Sequence, residues 1–171
     1  MQEARIELTL PDPEATLALG AALARAYGAG SSGSATIYLQ GELGAGKTTC
    51  VRGLLRSLGV TGAIRSPTYT LVEVYTPGGI TCVHVDLYRL QGAAQVDELG
   101  LRDLLDSRCL LLVEWPERGG RALPPADLEI RLAYQDQARR AELIAATAVG
   151  ARLLQMLACD TSLAPYVPNI T

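Results

Sequence analysis

Thr36-Ile37-Tyr38-Leu39-Gln40-Gly41-Glu42-Leu43-Gly44-Ala45-Gly46-Lys47-Thr48 decides how the chain is read. Residues 41–48 fit G-x-x-x-x-G-K-[ST], a loop that cradles phosphate groups. Glycines without a Cβ let the backbone turn tightly around an anion. The amides so exposed point inward and form a concave nest. The flanks suit the motif. Residues 36–40 are β-branched and aromatic, which predicts a buried strand. After the loop, Val51, Leu54, Leu55 and Leu58 recur at spacings of three and four, which predicts a helix over 49–58 ending at Gly59. Its N-terminus would turn unpaired amides and a dipole toward the same phosphates.

Strand, loop and helix in that order predict an α/β chain, a three-layer P-loop NTPase with a central mixed, mainly parallel sheet. The expected nucleotide-binding set is Gly41, Glu42, Leu43, Gly44, Ala45, Gly46, Lys47, Thr48 and Thr49. Lys47 would reach the β- and γ-phosphates of ATP, and the Thr48 hydroxyl would hold Mg²⁺.

The remaining elements follow outward. Ile6, Leu8 and Leu10 alternate, which predicts a strand over 5–10. Asp12 and Pro13 begin a helix running to about Tyr27, with Leu19, Leu23, Ala26 and Tyr27 on one stripe. Residues 28–34 read as a small, flexible connection. Residues 69–75 and 80–85 predict two strands paired antiparallel around Pro77-Gly78-Gly79. Residues 95–105 suit one or two short helices broken at Gly100. Cys109-Leu110-Leu111-Leu112-Val113-Glu114 is an unbroken apolar run closed by a carboxylate, the pattern of a central parallel strand. Two more strands are predicted over 127–132 and 141–146, and a last helix over 148–159. Residues 160–171 suggest a frayed tail.

At 171 residues, 49% hydrophobic and 19% charged, the chain suits one globular domain. A formal charge of −3 gives no global basic footprint for nucleic acid. Cys50, Cys82, Cys109 and Cys159 include no C-x₂-C pair, so buried thiols are expected at Cys82 and Cys109. Residues 1–5 lack the pattern of a signal peptide, and no apolar stretch reaches membrane-spanning length. A cytoplasmic location with no membrane attachment is therefore expected.

A phosphate loop needs a second carboxylate for the metal and a group to position water. Glu114 closes the most apolar run, so it should stand at the carboxyl edge of the sheet, where α/β folds bind ligands. That is the Walker B position, which more commonly holds Asp. Asp86 ends another apolar run, and it either orders the metal's waters and the attacking water or caps the helix that follows. Ser66, Pro67, Thr68 and Tyr69 lie on a polar loop where such proteins sense the γ-phosphate; a plain Ser/Thr turn is the alternative. His84 shares a strand face with Asp86 and reads as a satisfied histidine beside a carboxylate. Trp115 is either a loop aromatic open to a partner or nucleotide, or a core plug. Arg118, Arg121, Arg139 and Arg140 are candidate phosphate-directed guanidiniums.

Residues 41–49, Ser66-Pro67-Thr68-Tyr69-Thr70-Leu71, His84-Val85-Asp86-Leu87-Tyr88-Arg89-Leu90 and Glu114-Trp115-Pro116-Glu117 together resemble the TsaE (YjeE) family. The resemblance covers residues 10–147. It implies an ATPase that uses ATP and Mg²⁺ and supports two proteins, TsaB and TsaD. With a separate threonylcarbamoyl-AMP synthase, these form threonylcarbamoyladenosine at position 37 of ANN-decoding tRNAs. TsaE would reset that complex rather than perform the transfer, and tRNA would be met through the complex. Carried over by position, Lys47 contacts phosphate, Thr48 and Glu114 hold the metal, and Asp86 supports hydrolysis. Pro11, Asp12, Pro13 and Arg139 fall near the adenine and ribose. Arg65 stands where a lysine often precedes Ser-Pro-Thr-Tyr.

Two other readings share the loop. A small-molecule P-loop kinase would use residues 86–89 as a substrate clamp, though residues 115–123 are short for an arginine-rich lid. A non-catalytic nucleotide-gated binding module is the other, decided by Glu114→Ala and Asp86→Ala, since turnover persisting in both would make the assigned catalytic centre wrong. A guanine-reading Asn-Lys-x-Asp motif is impossible, since Asn169 is the only asparagine.

Overall fold

The computed structural model describes residues 4–30, 33–105 and 108–168. Seven strands form one sheet: β1 (Arg5–Leu10), β2 (Ala35–Gln40), β3 (Val72–Tyr75), β4 (Thr81–Asp86), β5 (Cys109–Glu114), β6 (Leu128–Gln135) and β7 (Ala138–Ala145). Their order is β1-β7-β6-β2-β5-β4-β3. The four central strands β6, β2, β5 and β4 run parallel, and β1, β7 and β3 add antiparallel edges. All six residues of β5 are buried, as expected of a strand covered on both faces.

Two apolar clusters sandwich the sheet. On one face Ile37, Leu39, Leu110 and Leu112 pack with α1 (Pro13–Gly30), α2 (Lys47–Ser57) and α5 (Ala148–Ala158). On the other, Val83, Val85, Leu111 and Val113 pack with α3 (Ala94–Glu98), α4 (Leu101–Leu104) and Leu123. That second cover stops short of β6, where Arg131 and Ala133 are exposed. The expected mixed sheet with a parallel core is therefore present, with its third layer over one half.

Asp12 starts α1 as predicted, its Oδ1 accepting the Ala15 amide at 2.8 Å. The helix runs three residues past Tyr27, through residues read as a loose connection. Residues 31–32 of that connection, and residues 1–3 of the N-terminal reading, lie outside the described residues. β3 starts only at Val72, because Thr68–Thr70 turn and Leu71 takes a left-handed φ of 66°. β6 and β7 run longer than the strands expected over 127–132 and 141–146, leaving only Asp136 and Gln137 between them.

The frayed tail is corrected. Thr161–Tyr166 forms a 3-10 helix whose Leu163 is buried. Asp160 caps it through the Ser162 amide at 3.0 Å. Arg25 of α1 clamps it, donating to Asp160 at 2.9 Å and Ser162 at 2.8 Å. Only residues 169–171 of the predicted tail fall outside the described residues.

Candidate functional site

The parallel core brings four separate segments to one edge of the sheet. β2 ends in the glycine loop, β4 ends at Asp86 and β5 at Glu114, and Asp86 and Glu114 are register partners on adjacent strands. The segment containing Ser66 and Thr68 lies across this edge. Among them is a cleft of about 270 Å³, lined by Lys47, Thr48, Ser66, Thr68, Asp86 and Glu114. Gly46 caps α2 at φ 109°, a conformation that L side chains rarely adopt and that lets the loop feed straight into the helix.

Lys47 is the only lysine in the chain. It is 4% exposed, and its Nζ donates to the Gly41 carbonyl at 2.6 Å and the Glu42 carbonyl at 2.9 Å. The ammonium lies 4.1 Å from the Trp115 ring centroid, within cation–π range. Burial pulls its pKa below the ordinary 10.5, against the raising influence of Glu114, Asp86 and Glu117. A phosphate in the loop would give this desolvated cation its counter-charge.

The Thr48 hydroxyl lies 2.9 Å from Glu114 Oε1 and 3.0 Å from Oε2. This pair supplies hard oxygen donors, the type magnesium takes. Among the described residues no group of three His, Cys, Asp or Glu side chains could cage a metal. A site built from one carboxylate, one hydroxyl and the nucleotide's own oxygens fits magnesium, which rarely uses an all-protein cage.

Asp86 is 2% exposed and holds the neighbouring loop. Its Oδ2 accepts from the Thr68 hydroxyl at 3.0 Å and from the Ser66 hydroxyl, and its Oδ1 accepts the Tyr88 amide at 2.9 Å. The Tyr88 contact caps a turn at residues 88–89, not the helix foreseen as the alternative, since α3 starts only at Ala94. Leu71 closes the loop from behind, its amide donating to Pro67 O at 2.6 Å and its carbonyl accepting the Asp86 amide. A leucine and a tryptophan at positive φ, Leu71 at 66° and Trp115 at 58°, flank the cleft, a strained backbone of the kind found at functional sites.

Not all of residues 66–69 face the cleft. Tyr69 is 80% exposed, stacks beneath Arg89 at 4.1 Å and lines the outer side of the loop with Pro67. Pro11, Asp12, Pro13 and Arg139 do meet, in a smaller cleft of about 190 Å³ bordered by Gly44, Gly46 and Thr49. Arg139 stacks on Tyr134 at 4.0 Å there. Arg140 is instead committed to Glu7 through two 2.8 Å bonds, and Arg121 lines a separate cavity. Arg118 sits over Trp115 and Tyr88, at 5.7 and 5.3 Å.

Two contacts were not foreseen. His84 Nε2 lies 2.8 Å from Glu114 Oε1, so the histidine meets the carboxylate of the next strand rather than Asp86. Strand alternation puts His84 and Asp86 on one face, but only the β4–β5 pairing supplies the partner. Tyr134 Oη donates to the Leu43 carbonyl at 2.9 Å, bracing the glycine loop from β6, which no local pattern signals.

Known proteins are similar to this chain. The profile of the family "Threonylcarbamoyl adenosine biosynthesis protein TsaE" matches residues 10–142. A TsaE of Haemophilus influenzae is 45% identical over 118 residues, covering 69% of this chain and 75% of that protein. One from Nostoc is 39% identical over 142 residues, covering 80% and 84%. The crystal structure of Bacillus subtilis YdiB superposes with a TM-score of 0.74 at 26% identity, covering 92% of this chain and 97% of that one. Among the described residues no helix is long and apolar enough to cross a membrane.

Proposed function

This chain belongs to the TsaE family of threonylcarbamoyl adenosine biosynthesis proteins, and from that premise we propose that it is a magnesium-dependent ATPase serving this tRNA modification. The observation that carries the proposal is the meeting, in one cleft, of the sole lysine, the Thr48–Glu114 pair and the Asp86-anchored loop.

The loop amides and the N-terminus of α2 bind the triphosphate, and Lys47 exchanges the Gly41 and Glu42 carbonyls for phosphate oxygens. Thr48 and Glu114 would hold magnesium, which would supply charge neutralisation on the phosphates. Asp86 orients the attacking water and accepts its proton at a carboxylate oxygen. Ser66 and Thr68, bonded to that same carboxylate, make the loop sensitive to whether Asp86 is engaged. Pro11, Pro13 and Arg139 border the neighbouring cleft and take the adenosine end.

No arginine lines the cleft around Lys47 and Glu114 among the described residues. An arginine in place is worth about 10³–10⁵ in rate in related phosphoryl transfers. Isolated turnover is therefore slow, and partner proteins, TsaB and TsaD by family resemblance, complete the site. The tRNA is met through them.

The test is phosphate release from ATP by the chain with and without TsaB–TsaD, for the wild type, Glu114→Ala and Asp86→Ala. Stimulated turnover that is lost in both variants supports the reading. Turnover persisting in both variants removes the assigned centre.

A further inference from the structure

The contact between His84 and Glu114 has no place in the scheme above, and its chemistry is unusual. His84 is 0% exposed and sits in β4 between apolar neighbours Val83 and Val85. Its Nε2 meets Glu114 Oε1 at 2.8 Å, while its Nδ1, equally buried, has no hydrogen-bond partner among the described residues. A buried polar atom left unpaired is a net cost, and an apolar residue of similar size would avoid it. The imidazole is thus poorly explained as core filling.

Glu114 supplies the reason. A glutamate has one more torsion than the aspartate more common at the end of this strand, and its terminal torsion is broad. A metal-facing glutamate therefore needs an anchor that an aspartate does not. The single Thr48 hydroxyl hydrogen lies within reach of both oxygens, with Oγ1 at 2.9 Å from Oε1 and 3.0 Å from Oε2, so among the described residues the His84 Nε2 contact on Oε1 is what tells them apart.

We propose that His84 is a positioning residue that pins Glu114 through Oε1 and so assigns Oε2 as the oxygen that serves the metal. The imidazole donates from Nε2 to the carboxylate, which only accepts. Outer-shell donors of this kind orient ligands, and their loss costs about 10- to 100-fold in metal affinity or activity. The inference rests on the metal role of Glu114 proposed above and adds to it which group orients that carboxylate.

The test measures binding of ADP and of a non-hydrolysable ATP analogue in Mg²⁺ and in EDTA, by calorimetry, for wild type, His84→Leu, His84→Gln and Glu114→Ala. Glutamine places an amide donor near the Nε2 position, and leucine fills the volume without one. His84→Leu is expected to lower the Mg²⁺-dependent gain in affinity by about 10-fold or more. Binding in EDTA and the melting temperature should not fall, and His84→Gln should recover most of the gain. In the Glu114→Ala background, His84→Leu should have no further effect. A full Mg²⁺ gain in His84→Leu overturns the proposal, and so does an equal loss in both His84 variants. If Glu114→Ala itself keeps the whole gain, the metal role of Glu114 fails first, and the two failures are distinct.

Discussion

Asp86 and Ser66 lie 20 residues apart in sequence and share a hydrogen bond between hydroxyl and carboxylate oxygen, with Thr68 bonded to that same oxygen. One buried side chain at the end of β4 thus fixes the position of a whole loop. Replacing it should uncouple chemistry from nucleotide capture. In Asp86→Asn, partner-stimulated turnover should fall by about 10²- to 10⁴-fold, while ADP still binds. Tryptic cleavage after Arg65 should quicken, because an amide no longer accepts both hydroxyls in the same way. Kinetics and limited proteolysis check this; an unchanged loop and unchanged rate would contradict it.

Trp115 is the only tryptophan, and it lies 4.1 Å from the Lys47 ammonium. Moving that cation onto phosphate changes the indole's surroundings. Intrinsic fluorescence should therefore shift on adding Mg²⁺ and ATP, and the shift should vanish in Lys47→Ala. An identical response in that variant would show that Trp115 does not report on the phosphate site.

Glycines join the two helices beneath the loop. A Cβ at Gly53 would run into the Leu17 backbone, its Cα at 2.9 Å, and one at Gly20 would strike the Cys50 carbonyl. Gly53→Ala should therefore force α1 from α2 and cost about 1–3 kcal/mol, or about 2–4 °C in Tm for each kcal/mol. Gly28, in the same helix as Gly20, has nothing within 4 Å of a built Cβ. Gly28→Ala should stabilise by about 0.5–1 kcal/mol. Thermal melts of the two variants should move in opposite directions.

The C-terminal clamp gives a pH signature. Burial pushes the Asp160 carboxyl up, but hydrogen bonds from Ser162 and Arg25, with the Arg25 charge, outweigh it and hold the group below its ordinary 3.8. A depressed carboxylate contributes stability above its unfolded pKa and loses it as pH falls through the folded one. Asp160→Asn should thus be less stable than wild type at pH 7 by a few tenths of a kcal/mol, about the worth of an exposed ion pair. The gap should close below about pH 3.8, read from melting curves across pH; a gap that persists in acid would exclude the charge as its source.

The glycine loop and the order of its flanks were legible because they are local. One strand, one loop and one helix carry their own periodicity and turn chemistry. The carboxylates closing β4 and β5 were legible for the same reason, since an apolar run ending in a charge marks a strand end. The partner of His84 was not, because register between strands 30 residues apart is set by the sheet. Neither was the outward face of Tyr69, where Leu71 turns the loop before β3 begins. The tail was misread because its buried anchor, Leu163, stands alone without a repeat to announce it.

The most direct measurement is a crystal structure of this chain with Mg²⁺ and a non-hydrolysable ATP analogue. The account predicts phosphates within the amides of residues 41–48, a metal about 2.0–2.1 Å from the Thr48 hydroxyl oxygen, and Glu114 facing that metal. A Glu114 carboxylate turned away from the metal, or a loop without phosphate at saturating ligand, would contradict it.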